Sequence, residues 1–327
     1  MQTLGYIARR LVYGVILMLC VVILNFFLIH AAPGDPADVI AGEMGGITAE
    51  MLAEIRATYG LDQPVWMQLF IYLKQIFSLD LGTSYFFDQP VTKLIGARVG
   101  PTILLVLAAQ VLSITIGVAM GVLASRKPNG WVSGFVGVFS TLGYALPVFW
   151  MGIMLIILFG SWIPLFPVEG MYSARFDGGL IAHYIDVTHH LVLPAMTLAI
   201  IFLAQYARLT RASMIDVLGA DYVRTARAKG VPEMRVIFSH ALRNAVLPIL
   251  TVAGLQFGNL VSGALLVETV FNWPGMGRLA FDSILRRDYP TVMGVLIIGS
   301  AMVVVANIIT DLSYRLADPR IRTGGSR

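Results

Sequence analysis

Of the 327 residues in this chain, 57% are hydrophobic even with glycine left aside, only 13% are charged, and the formal net charge is +4. So few charges cannot cover a water-soluble globule of this length, and most of the chain must face lipid. The positive balance is no nucleic-acid footprint, because Lys and Arg form no run interleaved with aromatics, and a single Cys20 excludes an internal disulfide or a cysteine-based metal site.

The first apolar stretch, residues 11–31, follows Arg9 and Arg10. Its core exceeds the roughly 7–15 residues of a cleaved signal and no small-x-small site follows, so a retained transmembrane helix is expected. Pro33-Gly34-Asp35-Pro36 ends it and opens a 32–101 segment. There Thr48 reads as the N-cap of a helix over 48–59, with Met51, Leu52, Ile55 and Tyr59 on one face and Gly60 as its stop; 64–79 reads as a second helix. Five further uncharged stretches follow at 102–125, 131–163, 191–207, 245–267 and 291–310. Each can cross about 30 Å of hydrocarbon as a helix. Their apolar runs are continuous rather than alternating, which favours helices over a barrel. The expected fold class is an all-α polytopic membrane protein with six transmembrane helices and a small external helical domain after helix 1. Its parts are 1–31 (tail and first helix), 32–101 (external), 102–316 (membrane core, including a cytoplasmic loop at 208–244) and 317–327 (tail).

Six crossings put both termini on one side. The segments before span 1, between spans 2 and 3, between 4 and 5, and after 6 hold 15 of the 23 Lys and Arg but 5 of the 19 Asp and Glu. They are therefore expected in the cytoplasm, whereas 32–101, with four basic and eight acidic residues, is expected outside.

Within the spans, Ser113, Gly117, Gly121 and Ser125 recur every four residues, as do Gly254, Gly258 and Ser262. Such small-residue stripes let membrane helices pack closely, which is preferred here to a direct pore role. Gln256 and Asn259 beside the second stripe are the better pore candidates, because polar groups avoid lipid. Gly299, Asn307 and Asp311 share a face in or beyond span 6. Pro147 should kink the long third span, as a hinge or a static bend. Trp273-Pro274-Gly275 suits a type II turn in an external hairpin. His189 and His190 are adjacent, point differently on a helix, and have no ligand cluster at metal spacing.

The 208–244 segment is the most informative. Asp221 reads as an N-cap, Tyr222 to Lys229 can make two helical turns, and Gly230-Val231-Pro232 ends them before a second helix runs from Glu233 through Arg243 into span 5. One reading is a basic loop that sets topology. The other is a docking element, with Ala226 and Ala228 small enough for close approach and Arg224, Arg227 and Lys229 offering charge.

The run Asp221-Tyr222-Val223-Arg224-Thr225-Ala226-Arg227-Ala228-Lys229-Gly230 resembles the cytoplasmic loop of ABC importer permeases in its dipeptide/oligopeptide form, with Arg224 and Thr225 where the general motif has Glu and Ala. His240-Ala241-Leu242-Arg243-Asn244-Ala245, Pro33-Gly34-Asp35-Pro36 and Asp80-Leu81-Gly82 extend the resemblance, as do Glu268-Thr269-Val270-Phe271-Asn272-Trp273-Pro274-Gly275-Met276-Gly277 and Asp318-Pro319-Arg320-Ile321-Arg322. The chain is similar to the first-permease type of the peptide/opine/nickel importer family.

That resemblance implies a type I ABC importer permease fold in the bacterial inner membrane. It also implies a second homologous permease subunit, two cytoplasmic ATPase subunits and a periplasmic substrate-binding protein as partners. ATP and Mg would be bound by the ATPases, with no cofactor in this chain and no nucleic-acid partner. The loop from Asp221 to Gly230 would couple ATPase motion to a pore, and Trp273-Pro274-Gly275 would lie near an external gate, a purely structural turn being equally open. The sequence itself contains no G-x-x-x-x-G-K-[ST] phosphate loop, no H-E-x-x-H and no G-x-S-x-G motif. An energy source in a partner and no catalytic residue are therefore expected. Two other classes were weighed. A self-sufficient secondary transporter needs intramembrane ionisable residues or paired broken repeats, and an intramembrane enzyme needs a catalytic constellation; the sequence displays neither.

Overall fold

The computed structural model describes residues 2–31, 48, 62–173 and 178–317, with backbone only at 2–11, 29, 259, 262 and 311–317. The helix expected at 48–59 and the motifs at 33–36 and 318–322 lie outside the described residues. Regular structure among the described residues is helical, with one isolated bridge between Thr83 and Pro90. The helices are α1 (Gln2–Ala31), α2 (Val65–Phe77), α3 (Val91–Arg126), α4 (Trp131–Ala145), α5 (Val148–Ile156), α6 (Leu180–Leu218), α7 (Asp221–Ala228), α8 (Glu233–Arg235), α9 (Arg243–Val270), α10 (Met276–Leu285) and α11 (Tyr289–Ala317). Wider π-type turns prolong α5 over Ile157–Trp162 and join α8 to α9 over Val236–Leu242.

Four segments are long and apolar enough to cross a membrane: Val91–Arg126, Leu180–Leu218, Glu233–Gly258 and Tyr289–Thr310. The pair Trp131–Ala145 and Val148–Trp162, bent by 107°, raises this to five, and Val12–Leu28 is a shorter apolar helix. Among the described residues the count is four or five, and the expected six remains an expectation.

Two spans differ from their expected form. Pro147 does more than kink span 3. Leu146 is driven into the extended region (φ −89°, ψ 135°), as residues before proline are, and Pro147 itself (φ −62°, ψ 139°) starts a new helix. Span 4 is far longer than 191–207: α6 runs for 39 residues, about 58 Å. Charged and polar residues at both of its ends mark only where hydrocarbon stops, and the helix continues past it.

The chain forms two compact units, Met1–Gly100 with Gly275–Val304, and Pro101–Pro274 with Val305–Arg327. In the first, the 64–79 helix is found as α2. It ends with Leu79 in the left-handed region (φ 57°), while the Asp80 and Leu79 amides donate to Gln75 and Ile76 carbonyls. Asp80-Leu81-Gly82 then turns the chain, the Gly82 amide donating to Asp80 Oδ1 at 2.9 Å with Gly82 at φ 77°. The segment beyond is fastened to the start of α11 by buried Asp288. Its carboxylate accepts from Ser84 Oγ (2.5 Å), the Tyr85 amide (3.1 Å) and Thr291 Oγ1 (2.6 Å). Arg286 lies 3.4 Å over the Phe86 ring.

The second unit is built around α6, whose Leu193, Leu198, Ala199 and Tyr206 form its core with Leu105, Val106 and Ala109 of α3, Ile249 and Leu260 of α9, and Trp273. The glycine stripe explains how α3 approaches so closely. A Cβ at Gly117 would lie 2.7 Å from Tyr206 Cβ and 2.9 Å from the Leu203 carbonyl oxygen. One at Gly121 would lie 2.5 Å from Thr210 Cβ and 2.7 Å from the Ala207 oxygen. A Cβ at Gly254 would overlap Thr310. These positions follow the packing reading. α4 joins the same helix through Ser140 Oγ, which donates to the Ala204 carbonyl at 2.9 Å.

Candidate functional site

The elbow between α6 and α9 is assembled from short-range chemistry. α6 stops at Leu218 with Gly219 as its C-cap, and Ala220, extended at φ −71° and ψ 149°, occupies the N-cap of α7. Asp221 is therefore the first helical residue rather than the cap expected: it makes no capping bond, its side chain is 98% exposed, and Arg224 lies 3.6 Å away. Its charge still favours the positive end of the helix dipole. At the other end Gly230, at φ 76°, takes the left-handed position while its amide donates to the Arg227 carbonyl (2.9 Å) and the Val231 amide to Ala226 (3.2 Å). This paired closure is the reason glycine stands there.

α7 has two faces. Val223 and Ala226 are buried and pack with Val236 against Val217, Leu218 and Val231. The expectation that Ala226 admits a partner is thus corrected, because its methyl faces this chain's own core. Tyr222, Arg224, Thr225, Ala228 and Lys229 are exposed. Arg227, expected to offer charge, donates two bonds to Glu233 at 2.8 and 3.1 Å. Asn244 Nδ2 donates to Tyr222 Oη at 2.9 Å, which ties α7 to the first turn of α9. Below this, Met214 of α6, Val122 of α3, and Ile237, Ala241 and Ala245 on the α9 side form a second buried cluster. α7 is thus a bracket held by the end of α6, by Val236 in the turns before α9 and by Asn244 in the first turn of α9.

Farther along the spans lies a ladder of amides. Gln256 Nε2 donates to Gln205 Oε1 at 2.7 Å, and Gln110 Nε2 donates to Tyr206 Oη (3.2 Å) and the Ala253 carbonyl (3.1 Å). Sequence reasoning singled out Gln256 but missed Gln110 and Gln205, whose apolar neighbours gave no period to follow. Gly258 is half-buried in α9, and the side chains of Asn259 and Ser262 lie outside the described residues.

At the far end of α9, Trp273 is fully buried and its indole N–H donates to the Pro101 carbonyl at 3.0 Å. The type II turn expected at Pro274-Gly275 is not formed, since Gly275 has φ −101°. Asn272 takes the left-handed position instead (φ 52°), with the Asn272 and Trp273 amides donating to Thr269 and Glu268 carbonyls. Glu268, unremarked in the sequence beyond its motif, is fully buried and accepts from Thr102 Oγ1 at 2.6 Å. The histidine pair serves structure: His190 Nδ1 lies 2.9 Å from the Asp186 carbonyl and 3.4 Å from its carboxylate, and His189 Nε2 lies 2.8 Å from the Leu165 carbonyl.

Long apolar helices joined by a polar two-faced elbow describe a membrane component. The family described as "Binding-protein-dependent transport system inner membrane component" matches residues 113–323, and its N-terminal companion matches residues 3–106. The chain belongs to this family of ABC transporter permeases, which work with a substrate-binding protein and an ATPase. The "probable peptide ABC transporter permease protein" of Sinorhizobium fredii is 43% identical over 97% of this chain and 99% of its own length. The dipeptide transport system permease of Escherichia coli is 40% identical over 98% and 99%. The oligopeptide transport system permease of Bacillus subtilis is 38% identical over 97% and 99%. A crystal structure of an amino acid ABC transporter aligns with 70% of this chain and 94% of its own at 16% identity and a TM-score of 0.47.

Proposed function

We propose that this chain forms one half of the pore of an ATP-driven importer for di- and oligopeptides. It would pair with a second homologous permease, two cytoplasmic ATPase subunits and a periplasmic binding protein that selects the solute. Full-length relatives named for peptide transport support the substrate class. The charge asymmetry of the connecting segments supports cytoplasmic termini, with 32–101 as an external segment. The chain itself is non-catalytic and holds no cofactor; ATP and Mg belong to the ATPases.

The observation that carries the coupling role is the two-faced α7. Its buried side, Val223 and Ala226, packs on the end of α6 and on Val236 of the turns that lead into α9, while Tyr222, Arg224, Ala228 and Lys229 are exposed. A push on the outer face is delivered to both long helices, and hence to the amide ladder of Gln110, Gln205 and Gln256, which with Gly258, Asn259 and Ser262 lines the solute path. Trp273, Pro274 and Gly275 brace the external end beside the gate. Gly230→Pro removes both the φ 76° geometry and the amide bond to Arg227, and Arg224→Glu with Lys229→Glu reverses the outer face. Both variants should insert normally yet lose peptide uptake in cells and ATPase stimulation in the reconstituted complex. Normal uptake and stimulation in both overturns the coupling role, and ion-driven uptake by the purified chain alone overturns the importer reading.

A further inference from the structure

Where α3 ends and α4 begins, a recess of about 610 Å³ is lined by Leu123, Arg126, Lys127, Trp131, Arg227 and Glu233, among others. Three cations face one carboxylate there, and that carboxylate is already engaged by Arg227. Arg126 and Lys127 make no ion pair within the described residues. The loop that carries them is held in place from beneath: Arg211 donates to Ser133 Oγ at 2.6 Å and to the Pro128 carbonyl at 3.0 Å. The recess is therefore preformed, with a net positive rim over the apolar side chains of Leu123, Val132 and Ile237.

Its position is that of a water–hydrocarbon boundary. Leu123, 55% exposed, closes the apolar stretch of α3, and Trp131, 82% exposed, opens that of α4. Exposed indoles favour this boundary. From Trp131 an outward stripe continues along α4 through Phe135, Val138 and Leu142, each more than half exposed. The stripe is about 16 Å long, close to one leaflet of hydrocarbon. A cationic rim continuous with an apolar track of leaflet length matches a molecule with a phosphate at one end and acyl chains at the other.

We infer that this recess binds an anionic diacyl phospholipid, its phosphate on Arg126 and Lys127 and an acyl chain along the α4 stripe. The lipid then sits beside the Arg227–Glu233 pair of the elbow. The assignment stands whatever solute is carried. A protein partner would need no leaflet-length apolar track next to the charges, and free phosphate would gain nothing from it.

The test is native mass spectrometry of the purified transport complex from phosphatidylcholine nanodiscs doped with limiting phosphatidylglycerol. Phosphatidylglycerol should be retained over phosphatidylcholine. In Arg126→Gln/Lys127→Gln that retention should fall about 30-fold, from two surface cations, and it should persist in Arg126→Lys/Lys127→Arg. Millimolar inorganic phosphate should not displace the lipid. Equal retention of both lipids, unchanged retention in the double Gln variant, or displacement by phosphate overturns the inference. Loss of the ATPase subunit from the double Gln variant with lipid retention intact assigns the recess to a protein partner instead.

Discussion

Replacing Gly121 by alanine tests whether the α3–α6 contact rests on the absence of one methyl group. The added Cβ would sit 2.5 Å from Thr210 Cβ, 2.7 Å from the Ala207 oxygen and 2.9 Å from the Arg211 nitrogen. Carbon contacts settle at roughly 3.5–4.0 Å, so the two helices must part locally by about 1 Å. Two of the three obstructing atoms are backbone and cannot rotate aside. Overpacking of this kind costs roughly 1–3 kcal/mol, and alanine's better helix propensity returns at most about 1 kcal/mol. Backbone obstruction puts the cost toward the upper end of that range, so a net loss of about 2 kcal/mol is expected. Gly137 in α4 is the control, because a Cβ there meets nothing within 4 Å; its alanine variant should be neutral or slightly stabilised. Thermal unfolding of the purified protein in one detergent, followed as loss of the monodisperse species, compares the two. Equal midpoints for Gly121→Ala and wild type, or an equal fall in Gly137→Ala, would refute the close-packing argument.

Asp288→Ala strips three hydrogen bonds, from Ser84, Tyr85 and Thr291, out of a buried site. It should cost about 1–3 kcal/mol and open the 78–90 segment to limited proteolysis, which peptide mapping reads directly. Asn272→Gly relieves the left-handed conformation at φ 52° and should leave the protein as stable or raise its midpoint slightly. Glu233→Gln breaks an ion pair whose partners are 41% and 50% exposed. Exposed pairs of this kind are worth under about 1 kcal/mol, so uptake and thermal midpoint should stay near wild type; a collapse of either would mean that the elbow depends on that charge.

Much of the elbow was legible because its signals are local. Gly230-Val231-Pro232 ends a helix wherever it occurs in such a run, and α7 closes there. The inward turn of Ala226 was not legible. At a two-turn length, helical spacing shows that positions 223 and 226 share a face, but not whether that face meets this chain or another. Asp221 was misplaced by one position for a related reason: aspartate serves both as N-cap and as first-turn residue, and the backbone of Ala220 settled which. The pairing of Arg227 was not legible because Glu233 lies beyond a chain reversal.

Composition and apolar run length by themselves determined that this chain is helical and lives in lipid, since of the two backbone arrangements that satisfy their hydrogen bonds in hydrocarbon, helix and closed barrel, a barrel needs alternating rather than continuous apolar runs. They also located the two-turn elbow and the small-residue stripes. Only the tertiary structure decided that the stripe at Gly117 and Gly121 meets α6 backbone, that Pro147 parts two helices at 107°, and that Trp273, Glu268 and Asp288 are inward fastenings. Each of these depends on a partner distant in sequence, and side-chain identity fixes which bonds a residue can make but not which distant group arrives to make them.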